Sequence, residues 1–266
     1  KLNGMFAIAI YDLSEEKLFL FRDRMGIKPL FYNNDENGLI FGSEIKVFNQ
    51  LNLKKKINKQ VISAYLHLGY IPSNFTIYEN IFKLKPGSYL VFKNGIIEKK
   101  IYWSPKDNIL PKSDDNLKTC KNKLKLLLQE SVKKRLISDV PIGTFLSGGI
   151  DSSLITAIAQ EVNNSKINTF SIGFKDAKYN ESEHAKKVAN QIGTSHNEFI
   201  VSEKEAIDEI ENIMFDFDEP FADSSALPTT LVSKMAKKHV SVCLSGDGGD
   251  ELFMGYGAYK WANRLN

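Results

Sequence analysis

The feature that most constrains this 266-residue chain is a change of hydrophobic period near its middle. From Gly4 to about Trp103, short apolar runs alternate with turn residues. From Leu117 onward, apolar residues recur at helical spacing and alternate with short strand-like runs. One layer architecture does not satisfy both patterns, so two domains are expected, over residues 1–103 and 117–266. Ser104 to Asn116 holds Pro105, Pro111 and a run of Asp, Asn and Ser, the composition of a linker.

Within the first part, Met5–Asp12 and Leu18–Arg22 are apolar runs joined by a loop of hairpin length. Gly38–Gly42, Ser88–Lys93 and Ile96–Tyr102 add strands. The last two flank Asn94-Gly95, whose tolerance of positive φ suits a type I′ turn. Val61 to Leu68 is the one helix expected here, so this half reads as a mainly antiparallel sheet. In the second part Leu117, Cys120, Leu124, Leu127, Leu128, Val132 and Leu136 form a helical stripe that Pro141 should stop. Strands over 142–146, 167–174, 198–201 and 240–244 then alternate with helices over 152–162, 181–192, 203–215 and 226–238. That alternation predicts a parallel sheet covered on both faces.

Composition excludes several function classes. The longest apolar run, Met5 to Tyr11, is far shorter than the ~20 residues of a membrane helix. Thirty-five basic and 32 acidic residues leave a net charge of +3, too balanced to indicate a nucleic-acid partner. The clusters Lys54–Lys56 and Lys133–Arg135 read as solvated faces. Cys120 and Cys243 cannot build a disulfide framework or a zinc site, and they fit a reducing, cytoplasmic setting. His67, His184, His196 and His239 lack metal-ligand spacing. Residue 1 is Lys and no signal-like segment follows, so the chain is expected to be a piece of something longer.

The chemistry is concentrated in two loops. Ile142–Ser153 runs from an apolar strand through Ser147-Gly148-Gly149-Ile150-Asp151-Ser152-Ser153 into a helix. Glycines allow successive N–H groups to face one point, and a helix N-terminus adds partial positive charge there, a geometry suited to phosphate. Gly143 and Gly148 have the spacing of a Walker loop, yet Gly149-Ile150 replaces its Lys and Ser/Thr. Asp151 instead offers a carboxylate for Mg²⁺. The second loop, Ser245-Gly246-Asp247-Gly248-Gly249-Asp250-Glu251, puts three carboxylates after a predicted parallel strand, where open α/β sheets place ligands. An EF-hand is excluded by the missing Glu at loop position twelve. Together the loops suggest a nucleotide with its metal.

Ser147–Ser152 resembles the pyrophosphate loop of the ATP-pyrophosphatase superfamily. With Ser245–Glu251 and Asp218–Ser225, it resembles the glutamine-hydrolysing asparagine synthetases. Asn3–Ala7, Arg22–Leu30 and Gly42-Ser43-Glu44 are similar to the later part of that family's glutaminase domain. The resemblance spans essentially the whole chain. It implies an α/β protein: the C-terminal part of an N-terminal-nucleophile-type α+β glutaminase sandwich, then a Rossmann-like parallel α/β ATP-pyrophosphatase domain.

It further implies that Ser147, Gly148 and Gly149 cradle pyrophosphate with Ser152 close by. Phe145, Ile172, Ser245 and Gly246 would line the adenosine, and Asp151 and Asp250 would hold Mg²⁺ on ATP. The implied reaction is carboxylate attack on the α-phosphate of ATP, giving an acyl-adenylate and pyrophosphate, followed by ammonia. Asp247 stands where many members carry a Glu assigned to the ammonia step. Aspartate is the leading acceptor, and glutamine is the nitrogen donor of the intact protein. A sugar uronate is an alternative acceptor, because the arginine that well-known bacterial members carry in the segment Phe221–Pro228 is replaced here by Ser224. A nucleotide-binding fragment without catalysis is a further alternative, and a family-style homodimer is one oligomeric option. The match begins after the family's N-terminal cysteine and the upstream residues that bind glutamine, so this chain is expected not to hydrolyse glutamine. The match stops at Gly255-Tyr256, before the catalytic lysine of the synthetase domain.

Overall fold

A computed structural model of the chain describes residues 2–51, 53–72, 74–174 and 181–265. Two compact units account for them. The first comprises Lys1–Lys112 with Met214–Asp223, and the second comprises Ser113–Ile213 with Ser224–Asn266.

In the first unit, β1 (Ala7–Asp12) and β2 (Lys17–Arg22) form the expected hairpin, with Ile8 opposite Phe21 and Ile10 opposite Phe19. Next come β3 (Phe31–Asp35), β4 (Gly38–Gly42), α1 (Lys59–Leu68), β5 (Phe82–Lys83), β6 (Ser88–Lys93) and β7 (Ile96–Ile101). Asn94 and Gly95 take φ of 50° and 78°, the double left-handed step of the expected turn between β6 and β7. Two antiparallel sheets result, of order β1-β2-β6-β7 and β4-β3-β5, rather than the one anticipated. Leu20, Leu30, Tyr32, Leu84 and Leu90 form a core to which both sheets contribute. Complete burial of a leucine such as Leu20 contributes about 1.5–3 kcal/mol.

Strand β3 escapes sequence reading because Asn33-Asn34-Asp35 has turn composition. Its alternation is nonetheless strict. Tyr32 enters the shared core, while Phe31 faces a second cluster with Ile45, Phe48 and Ile81. Asn33 is buried and donates its amide Nδ2–H to the Asn80 carbonyl at 2.8 Å.

The segment Arg22–Leu30 is held from both sides of its backbone. The Arg22 guanidinium donates to the carbonyls of Lys28, Leu84 and Gly26 at 2.9, 2.6 and 2.8 Å. The buried Asp23 carboxylate accepts the N–H groups of Phe6, Met25, Ile27 and Lys28 at 2.9–3.3 Å. Gly26 turns at φ 69°, where an added Cβ would lie 2.7 Å from Pro86. This motif therefore builds a loop out of charge-assisted hydrogen bonds.

The second unit opens with α2 (Leu117–Arg135), whose N-cap Asn116 accepts the Thr119 N–H at 3.0 Å. The helix ends at Arg135, ahead of Pro141, and its apolar stripe is only partly used. Val132 is buried with Leu128 and Leu136 packed beside it, whereas Leu117, Leu124 and Leu127 are exposed. Strand β8 (Ile142–Phe145), helix α3 (Ile150–Val162), strand β9 (Asn168–Phe174), helix α4 (Ser182–Ile192) and strand β10 (Ser195–Val201) follow in strict alternation. Helices α5 (Glu203–Asp216) and α6 (Ala226–Ala236) precede β11 (Val242–Leu244), α7 (Gly249–Phe253) and α8 (Gly257–Leu265).

The four strands are parallel, in the order β10-β9-β8-β11, as the alternation predicted. Helices α2 and α3 bury Val132, Ile158 and Ala159 with Ile167. Helix α4 packs Ala185 and Ala189 on Leu146, and α6 packs Val232 and Ala236 on Phe170. Beside the apolar core runs a polar seam. Thr144 and Thr156 hydroxyls meet at 2.9 Å. Thr169 Oγ1 lies 3.0 Å from Thr194 Oγ1 and 2.9 Å from His196 Nδ1, while His196 Nε2 lies 3.2 Å from Ser171 Oγ. Each member has a partner, which is what allows a buried polar seam to persist.

Candidate nucleotide site

At the C-terminal ends of β8, β9 and β11 the second unit holds a cleft of about 680 Å³. Its first wall is the loop leaving β8. The Leu146 N–H still donates to the Phe170 carbonyl at 2.8 Å, after which the chain turns into α3. Ser147 and Ser152 staple this turn, with hydroxyl oxygens 2.9 Å apart. The Gly149 N–H donates to Ser147 Oγ at 3.2 Å, and Ser152 Oγ donates to the Gly149 carbonyl at 3.3 Å. The first N–H groups of α3 lack intrahelical acceptors, as at any helix start. They supply the donors and partial positive charge that favour an anion.

The second wall is the loop 245–250. Close approach of the two loops depends on glycine. A Cβ at Gly246 would stand 2.7 Å from Ser152 N, and one at Gly249 would stand 2.5 Å from Asp151 Cγ. Gly248 carries φ 91° at the N-cap of α7, and Ser245 Oγ donates to Asp247 Oδ2 at 2.9 Å. The Asp250 carboxylate packs over Gly255, where no side chain could fit. Tyr256 donates its hydroxyl to Glu251 Oε1 at 2.9 Å, and that bond pushes the phenol up to about 12.

Phe145, Ser147, Gly149, Asp151, Ser152, Ile172, Ser245, Gly246, Asp247 and Asp250 all line this single cleft. Gly148 does not. At φ 84° it lies against α4, where a Cβ would be 2.8 Å from Ala185 N. Its place is in the turn behind the loop, not on the wall. The cleft also takes in Phe170, Ser171 and Glu181, and Pro228, Thr229 and Val232 of α6. Pro228 and Thr229 lie three and four residues beyond the Asp218–Ser225 segment, and that proximity was the available signal for them.

Asp151 and Asp250 both line the cleft, and Mg²⁺ is commonly bound through one or two carboxylates while substrate phosphates supply further oxygens. Among the described residues no three His, Cys, Asp or Glu side chains form a cage that would hold a metal alone. A smaller cavity of about 380 Å³ in the first unit, lined by Tyr32, Phe82 and Lys99 among others, contains none of the residues singled out by the sequence.

Residues 1–103 match a glutamine amidotransferase domain. Over 262 residues the chain is 42% identical to a putative glutamine-hydrolysing asparagine synthetase 2 of Methanocaldococcus jannaschii, covering 96% of this chain and 50% of that protein. Identity is 38% to the glutamine-hydrolysing asparagine synthetase 1 of Bacillus subtilis, covering 98% of this chain and 41% of that protein. It is 31% to the glutamine-hydrolysing asparagine synthetase B of Escherichia coli, covering 96% and 44%. The chain thus spans half or less of the length of these relatives. The asparagine synthase family matches residues 123–266, more than half of the chain and the part that includes every residue of the cleft, so the chain belongs to that family.

Proposed function

We propose that this chain is part of an ATP-dependent ligase that converts a carboxylate, in the first place aspartate, into its amide. The observation that carries the reading is the contact of Asp151 with Gly249, which joins a phosphate-type loop to an acidic loop around one cleft. A carboxylate oxygen of the acceptor attacks the α-phosphorus of ATP, the bond to the bridging oxygen breaks, and pyrophosphate leaves. Ammonia then attacks the acyl carbon of the adenylate and AMP leaves. Amides of the first turn of α3 supply preorganised donors for the departing pyrophosphate, with the hydroxyls of Ser147 and Ser152 beside them on the cleft wall. Asp151 and Asp250 would hold Mg²⁺, which would supply charge neutralisation on the phosphates. The adenosine rests along Phe145, Ile172, Ser245 and Gly246, all of which line the cleft. Asp247, whose carboxylate accepts a hydrogen bond from Ser245 Oγ, takes the proton of the attacking ammonia in this reading. The intact protein takes its nitrogen from glutamine, through the domain to which residues 1–103 belong.

The test is pyrophosphate release from Mg·ATP by the parent protein, with ammonium as nitrogen source and aspartate as acceptor. Aspartate-dependent release that disappears in Asp151→Asn is the expected result. ATP binding without aspartate-dependent release would move the acceptor to another carboxylate, a sugar uronate first, because Ser224–Pro228 carries no basic side chain. Failure to bind ATP would overturn the reading.

A further inference from the structure

Helix α4 backs the loop that leaves β8. Gly148, at φ 84°, lies against the first turn of the helix. An added Cβ there would stand 2.8 Å from Ala185 N and 2.9 Å from both His184 C and His184 Cβ. On either side of that glycine, Ser147 and Gly149 line the cleft. The ends of the loop are tied elsewhere, by the Leu146 N–H to the Phe170 carbonyl and by the Ser147 and Ser152 hydroxyls to each other. Its middle meets α4 backbone to backbone, a contact with no flexible side chain to absorb a shift. The depth at which α4 sits therefore sets where Ser147 and Gly149 stand.

Apolar packing holds α4 only in part. Ala185 and Ala189 are fully buried beside Leu146, but each brings a single methyl group and so little apolar area. Ser182, the first residue of the helix, is fully buried as well, and its hydroxyl donates to the Glu198 carboxylate on β10. That bond holds the Glu198 carboxyl below its ordinary value of 4.5 against the opposing effect of burial, with Lys186 acting in the same sense. Lys186 Nζ lies 3.4 Å from Glu198 Oε2, but its side chain is 60% exposed, so the ion pair is screened and weak. The buried hydroxyl on an ionised carboxylate is the stronger of the two links. Ser182 and Ala185 are three positions apart and share a helix face. Glu198 thus ties to the sheet the same turn of α4 that meets Gly148.

We infer that Glu198 is a positioning residue for the loop 147–149. Through Ser182 it fixes the first turn of α4 against β10, and through the Gly148 contact that turn fixes Ser147 and Gly149 on the cleft wall. The consequence for ligand binding rests on the nucleotide reading of the cleft, whereas the coupling of α4 to the loop does not.

Glu198→Ala removes the acceptor that Ser182 has on β10, and Glu198→Gln keeps an oxygen there. Amide exchange and the Kd values for Mg·ATP and AMP are measured on the full chain. In Glu198→Ala the amides of Ala185, Lys186, Val188 and Ala189, and those of Ser147 and Gly149, should exchange at least about tenfold faster. The amide of Ala236 in α6, which packs with Phe170, should not change. The Kd for Mg·ATP should rise by about tenfold, and that for AMP, which has the adenosine but no pyrophosphate, by less than about twofold. Glu198→Gln should recover most of each change. Faster exchange in α4 with no change at Ser147 and Gly149 would overturn the positioning role, and no change at either would overturn the tie. Equal losses of Mg·ATP and AMP affinity would also overturn it, by making Glu198 a general support of the fold. If Ala236 loses protection in Glu198→Ala, Ser182→Ala is read by the same pattern with the same overturning outcomes. A wild-type chain that binds neither nucleotide would count against the ligase reading alone, because exchange at Ser147 and Gly149 still decides the inference.

Discussion

Asp151 rests on Gly249: a single carbon added to that glycine would lie 2.5 Å from the aspartate Cγ and 2.8 and 2.9 Å from its two oxygens. Gly249→Ala should therefore push the carboxylate out of place. Relief of such overpacking typically costs about 1–3 kcal/mol, so nucleotide affinity should fall by about tenfold or more. Titration calorimetry with Mg·ATP checks this, with Gly257→Ala as a control at a site where nothing lies within 4 Å of the added carbon. Equal affinities in the two variants would contradict the carboxylate-on-glycine account.

Asp151→Asn separates ligand chemistry from folding. Asp151 lies in the first turn of α3, where a negative charge contributes only about 0.3–1 kcal/mol to helix stability. The variant should remain folded with a thermal midpoint close to the parent's, yet release no pyrophosphate. Retained turnover would remove Asp151 from the metal-binding role proposed for it.

Asp23 should make the first unit sensitive to acid. Burial by itself would raise its carboxyl, but the N–H groups of Lys28, Ile27, Phe6 and Gly26 outweigh burial and hold it below its ordinary value of 3.8. A carboxyl depressed in the folded state contributes stability that is complete above the unfolded value and is lost as pH falls through the folded one. Asp23→Asn should destabilise this unit by about 1.5–3 kcal/mol at neutral pH and flatten that acid dependence. Exchange at the amides of β2 and β6, followed between neutral pH and about pH 3, reports both effects.

His196 should act similarly in the second unit, in a different pH window. Burial pushes its imidazole down from 6.5, with Lys186 acting in the same sense and Glu198 opposing. The neutral ring is therefore the native form, wedged between the Thr169 and Ser171 hydroxyls. Its contribution is full above the unfolded value and declines as pH falls through the depressed folded value. Exchange protection in β9 and β10 should weaken on going from about pH 7.5 to below about pH 6, and His196→Gln should abolish that trend. An unchanged trend in the variant would assign the effect to another group.

Much of the fold was legible because its determinants are local. Asn94-Gly95 dictates a turn that only positive φ can make, and the alternation of β8, α3, β9, α4 and β10 follows from apolar spacing. The turn from β8 into α3 was equally legible, since strand, glycines and helix start are consecutive residues. Strand β3 was not, because Asn33-Asn34-Asp35 has turn composition until Phe31 and Tyr32 find cores on opposite faces. The stripe of α2 misled in the other direction, since periodicity marks a face without saying how much of it will be covered.

Local sequence sets the backbone at each loop and the chemical types present there. The tertiary structure decided which of those groups meet. Asp151 reaches Gly249 because β8 and β11 are neighbours in the sheet, and Glu219 reaches the Ile77 amide although 142 positions separate them. Hydrophobic spacing constrains φ and ψ over a few residues at a time. Contacts of that range depend on strand order and on how packed elements exclude water, which no single stretch of sequence encodes.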